Sequence, residues 1–140
     1  MNNNKGFTLV ELLFVLMIVG ITTLLLLPNM YQTVVKQQTK QFFQVFGSDD
    51  LYIQAKSVNA TDNYVIFPRK DFYYVLHYDN VVAKRQFPEQ LQLVNYTGPI
   101  IEYSRNGTIK KPHTYTFRDT SGLYHVIYPF GKGRHYVNEL

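Results

Sequence analysis

Residues 6–11 read Gly-Phe-Thr-Leu-Val-Glu, and an apolar run to Leu27 follows, interrupted only by the charge of Glu11. A carboxylate in such a segment costs about 2.5–3.5 kcal/mol at a helix centre on insertion scales. A charge kept at that cost has a task, and in lipid an isolated carboxylate needs neutralising. The leader ahead of it, Met1-Asn2-Asn3-Asn4-Lys5-Gly6, is short and basic. An ordinary secretory signal has an apolar core of about 7–15 residues followed by a small-x-small cleavage site. Here the apolar run covers 21 residues, 7–27, and Pro28-Asn29-Met30 comes next, so no such site is present. A plain membrane anchor explains the length, because about 20 residues at 1.5 Å rise cross roughly 30 Å of hydrocarbon. It explains neither Glu11 nor the Gly6-Phe7 pair at the water edge. Lys5 before the run, with the large polar part after it, predicts a cytoplasmic N-terminus.

A short leader, glycine, phenylalanine and a glutamate five residues past the glycine resemble the prepilin signal of type IV pilins and pseudopilins. Residues 6–11 match that pattern without departure. The resemblance implies cleavage between Gly6 and Phe7 by a prepilin peptidase, with N-methylation of Phe7. It implies an assembly role for Glu11, whose charge meets the N-terminal amine of its own or a neighbouring subunit. Pro28 resembles the proline that pilin helices carry about one bilayer thickness in. The partners implied are other pilin or pseudopilin subunits, the peptidase and the membrane. The implied place is a single-pass membrane protein, displayed at the cell surface once assembled.

The rest of the chain offers little catalytic chemistry. There are no cysteines, so thiolate nucleophiles, disulfides and Cys-based metal sites are excluded. His77, His113, His125 and His135 stand apart in sequence from each other and from paired carboxylates. Asp49-Asp50 is a possible hard-cation pair and is better read as part of a solvated helix face. Ser121-Gly122 lacks the flanking pattern of a hydrolase nucleophile. Asn59-Ala-Thr61, Asn95-Tyr-Thr97 and Asn106-Gly-Thr108 fit the glycosylation sequon, but behind a prokaryotic leader they read as turns. The expectation is no enzyme, no cofactor and no metal.

Four segments follow: residues 1–6 as leader, 7–27 as transmembrane helix, 28–57 as an amphipathic extension and 58–140 as a β-rich head. Tyr31, Val35, Phe42, Phe46 and Ile53 recur at spacings of 4, 7, 4 and 7, near one helix face. One long helix is predicted, from Phe7 to about Ser57, with Gly47-Ser48 as a potential kink and Ser48 as a potential cap. Its stripe is predicted to pack on one sheet face. After residue 57 the pattern turns strand-like: residues 64–67, 72–78, 81–87, 91–94, 100–103, 114–117, 123–128 and 135–137. Asp79-Asn80 and Asn106-Gly107 are predicted turns, the latter of the type that needs positive φ at both central residues. No helices alternate with the strands, so the fold class is α+β: a long N-terminal transmembrane and amphipathic helix on an antiparallel sheet head, pilin-like in arrangement.

The net charge of +4 is concentrated late. Between residues 105 and 134 there are six basic residues against one acid, Asp119, which makes this third the candidate for contact with a polyanion. Residues 101–109, 114–117 and the Gly131-Lys-Gly-Arg134 turn resemble the end of minor pseudopilins of Gram-positive competence pili. They are also similar to H-type pseudopilins of type II secretion. Related minor pilins carry Gly-Arg-x-Arg at this turn and bind DNA with it; here Gly133-Arg134-His135-Tyr136 lacks the second arginine. Arg105, Lys110, Lys111, Lys132 and Arg134 are the candidate DNA contacts, with Tyr136 a possible stacking residue. The resemblance implies a minor pilin of a DNA-uptake pilus, with a secretion pseudopilin and a pilus-displayed DNA binder as alternatives.

Overall fold

The computed structural model describes residues 6–58, 63–131 and 133–140, without the side chains of residues 26–30. The predicted leader, the Asn59 turn and Lys132 lie outside the described residues. The chain divides into two units, Met1–Val34 and Val35–Leu140.

One α-helix, α1 (Leu9–Val58), runs through both units. In the first unit its large apolar side chains point outward in every direction; from Leu9 to Leu25 each is at least 49% exposed. A helix apolar on all sides is one that lipid or other helices must cover. Thr22 and Thr23 do not spoil this surface, because their hydroxyls donate to the Ile18 and Val19 carbonyls of their own helix. Among the described residues no helix is long and apolar enough to cross a membrane. The run read from sequence extends to Leu27, two residues past the last described side chain of that stretch.

In the second unit one face of α1 is buried at Val35, Thr39, Phe42, Phe46, Asp50, Ile53 and Ser57. Steps of 3 and 4 keep all seven on one side. Tyr31, expected in this stripe, is exposed. Gly47 and Ser48 do not interrupt the helix. The Ser48 hydroxyl donates back to the Gln44 carbonyl rather than capping a restart.

Eight strands follow: β1 (Tyr64–Pro68), β2 (Phe72–His77), β3 (Asn80–Gln86), β4 (Gln92–Leu93), β5 (Ile101–Glu102), β6 (His113–Arg118), β7 (Leu123–Tyr128) and β8 (Tyr136–Glu139). They form two four-stranded antiparallel sheets, ordered β3-β2-β1-β5 and β4-β6-β7-β8. The helix stripe packs on both sheets, not on one. Phe42 and Phe46 each meet Tyr73 of the first sheet and Phe117 of the second.

The turns differ from expectation in instructive ways. The β2–β3 loop is Tyr78-Asp79, one residue earlier than expected, with Tyr78 at a φ of +53°. At Asn106-Gly107 only Gly107 has positive φ. The Gly107 N–H donates to the Ser104 carbonyl and the Ser104 N–H to the Thr108 carbonyl. That is the longer hairpin loop, a turn followed by a left-handed glycine. Asn106 is free to stay right-handed and uses its side-chain oxygen to accept from Thr108 N–H. β4 is only two residues long, because Asn95 takes over from the strand. Its side chain donates to the Thr114 carbonyl (2.6 Å) and accepts from Thr116 N–H (2.7 Å), continuing the β6 ladder without a backbone.

Ile53 is fully buried in the core. Ile53→Ala, in a fragment beginning at Asn29, is expected to lower the unfolding free energy by about 2–5 kcal/mol. Urea denaturation checks this; a loss below about 1 kcal/mol would take the helix out of the core.

Candidate functional site

The N-terminal motif lies where helix begins. Residues 6–8 are non-helical and α1 starts at Leu9. The Thr8 hydroxyl accepts from Glu11 N–H at 3.3 Å, and the Thr8 carbonyl accepts from Leu12 N–H. Thr8 is thus the N-cap and Glu11 its third helical residue, the Thr-x-x-Glu spacing of a capping box. The signal is carried by the sequence itself, Thr8-Leu9-Val10-Glu11. The first turn also favours an anion through the helix dipole, so the local fold gives Glu11 partial compensation. Among the described residues no side chain pairs with its carboxylate. Phe7 is highly exposed, and the Gly6–Phe7 bond sits in non-helical backbone. A Cβ at Gly6 meets nothing within 4 Å. Among the described residues, nothing at that position would meet a side chain. At Pro28 the backbone is helical.

The head holds a second constellation, which the sequence reading missed. Asp50, expected on a solvated face, is 1% exposed. Tyr103 Oη donates to both its oxygens at 2.9 Å, and His135 Nδ1 lies 2.6 Å from Oδ2. His135 therefore does not stand apart from carboxylates; 85 residues of chain are closed by this contact. Asp49, the preceding residue, accepts from Tyr73 Oη at 2.7 Å and from Arg85 Nε at 3.0 Å. Thr39 donates to Asp119 at 2.8 Å. Burial works against the Asp119 charge. Hydrogen bonds from Ser121, Thr39 and the Ser121 and Gly122 N–H groups outweigh it and hold its carboxyl below the usual range.

Burial, then the neighbouring carboxylates, raises the tyrosine phenols around these aspartates. Tyr73 is raised by burial and Asp49; Tyr103, Tyr115 and Tyr128 are raised by burial and Asp50. The arrangement is one of fasteners. Among the described residues no group of three or more His, Asp and Glu side chains is placed to hold a metal.

The candidate DNA contacts are dispersed over several elements. Arg105 lies exposed in the turn after β5, and Lys111 is exposed before β6. Lys110 is ion-paired with Glu102. Arg134 is exposed beside Ser48 and Leu51 of α1, and Lys132 is outside the described residues. Gly131, at a φ of +100°, occupies the left-handed region that favours glycine.

The sequence matches a family model described as the prokaryotic N-terminal methylation motif, over residues 1–27. That motif supports a type IV pilin-like or pseudopilin subunit, processed by a prepilin-type peptidase. Neither a curated protein nor a solved structure shows significant similarity to the chain.

The raised phenols carry a signed consequence. A raised pKa means that folding favours the neutral phenol. Its contribution is complete below the ordinary value of about 10 and is lost as pH climbs past it. Of the 12 tyrosines, Tyr73, Tyr103, Tyr115 and Tyr128 are expected to give no phenolate absorbance at 295 nm until circular dichroism reports unfolding. Single Phe variants assign the late amplitude. Phenolate from these four in the folded protein would contradict the geometry.

Proposed function

We propose that this chain is a minor pilin (pseudopilin) subunit of a competence type IV-like pilus, needed for pilus assembly and for uptake of extracellular DNA in transformation. The observation that carries the proposal is the run of residues 6–11, joined to the methylation-motif match over residues 1–27. The α+β head and the likeness of residues 101–134 to Gram-positive minor pseudopilins support the finer assignment. In this reading residues 7–27 anchor the chain, the N-terminus is cytoplasmic and the head lies outside. The peptidase cuts between Gly6 and Phe7, and Phe7 is then N-methylated. The Glu11 carboxylate meets the new amine of its own or an adjacent subunit, which compensates a charge that lipid disfavours. Pro28 adjusts the helix path as subunits pack.

A pseudopilin of type II secretion shares every N-terminal feature and differs in what the filament serves. A pilus that displays the chain to DNA would use Arg105, Lys110, Lys111, Lys132 and Arg134. Lys110 is the weakest of these, because Glu102 already holds it.

The test is a deletion strain complemented with the natural chain, Gly6→Leu or Glu11→Val, assayed for transformation and for protein export. Transformation is expected to return with the natural chain alone. Gly6→Leu should retain the leader by mass spectrometry, and Glu11→Val should enter the membrane but not filaments. Loss of export with intact transformation would favour the secretion pseudopilin. Full transformation with Glu11→Val would end the charge-pairing reading.

A further inference from the structure

The second sheet ends on β8, and β8 is unfinished. It is the edge strand, paired only with β7, and all four of its residues are exposed. Its register sets Val137 opposite Val126 and Glu139 opposite Tyr124. Directly opposed residues share a face, so Val137 and Glu139 lie on the face that β7 turns toward the helix. Val126 and Tyr124 are buried there, and Tyr124 meets Phe43 of α1 with ring centres 5.4 Å apart. Val137, on the same face, is 39% exposed. The helix covers β6 and β7, and β8 overhangs.

Beneath the overhang is a cleft of about 510 Å³, walled by Lys36, Lys40 and Phe43 on one side and Tyr124, Val137 and Glu139 on the other. Thr39 and Gln44 complete its lining on the helix side. The helix side from Lys36 to Gln44 runs about 12 Å at the usual rise. Four extended residues, the length of β8, span about 13 Å. The two walls therefore match in length, and one wall carries a row of backbone N–H and C=O groups that no described strand takes up.

The geometry points to a strand-addition site: an extended, acidic segment of another protein pairs with the outer edge of β8 and turns alternate side chains into the cleft. The backbone edge calls for a backbone partner. The floor of Phe43 and Val137 takes one apolar side chain. The charge sets the occupant's sign. Lys36 and Lys40, one turn apart on α1, are in none of the ion pairs among the described residues. Glu139 is the single acid on the walls. A segment with an apolar residue and, two positions away on the same face, a carboxylate fits this lining. Pairing of like edges is a hazard that exposed strands otherwise manage with charge or coverage; here the edge carries one charge, Glu139, and the helix opposite carries two, Lys36 and Lys40.

The probe is a capped, fluorescent pentapeptide in which threonine alternates with one valine and one glutamate, titrated by anisotropy against the full chain in neutral detergent micelles. Binding is expected to weaken about tenfold when lysine replaces glutamate in the peptide, and again with Lys36→Glu/Lys40→Glu in the protein. Two further peptides carry N-methyl groups on alternate amides, one in each phase. Only the phase that faces β8 should lose binding. Equal affinity for the glutamate and lysine peptides, equal affinity for the two methylated phases, or no saturable binding of the glutamate peptide would each overturn the site.

Discussion

Asp50 sits midway along the helix face that both sheets share, and with 1% exposure its carboxylate must be satisfied by protein alone. Leaving one partner out of such an arrangement is costly, because an uncompensated buried charge remains; losses of about 3–5 kcal/mol are usual. The two side chains that meet it, Tyr103 and His135, come from different sheets. Tyr103 follows β5 at the edge of the first sheet, and His135 precedes β8 at the edge of the second. One side chain on the helix thereby fixes where both sheets end. The apolar stripe supplies most of the burial, but apolar contacts slide; a carboxylate with a phenol and an imidazole does not.

Similar fasteners recur along the same helix. Thr39 holds Asp119 in the β6–β7 turn, and Asp49 holds Tyr73 of β2 with Arg85 of β3. Ser57 donates to the carbonyls of Gln54 and Ser104, and Gln54 Nε2 to that of Gly107. The order of these contacts sets the second sheet at the N-terminal part of the packed helix and the Asn106-Gly107 hairpin at its C-terminal end. The overhang of β8 follows from this geometry. His135 is pinned to the helix, and the strand beyond it is held by β7 alone.

The strand segments from residue 64 onward were legible because alternation and β-branched or aromatic content are local properties. Residues 6–11 were legible because each residue type has a separate reason to be there. The helix stripe was only half legible. Val35, Phe42, Phe46 and Ile53 announced themselves, while Thr39, Asp50 and Ser57 were passed over as polar, although they complete the same 3-and-4 spacing. What lets them be buried is a partner elsewhere in the chain: Tyr103, 53 residues on, and His135, 85 residues on, for Asp50; Asp119 for Thr39; the Ser104 carbonyl for Ser57. Pattern within a helix window cannot contain that partner. The turn at Asn106-Gly107 was found by composition but mistyped, because the hydrogen bond that selects its length lies between Ser104 and Thr108. The basic residues of the last third shared a composition, and the fold distributes them over several elements.

In the proposed reading, the uncovered apolar side chains from Leu9 to Leu25 suit assembly through that helix, and the fasteners give the second unit, Val35–Leu140, its internal rigidity. That rigidity rests on Asp50 and His135 acting as a pair. The direct measurement is a double-mutant cycle of Asp50→Ala and His135→Ala in a fragment beginning at Asn29, followed by urea denaturation. A coupling of about 0.5–3 kcal/mol between the two sites is expected. Losses that add within about 0.5 kcal/mol would contradict a shared fastener.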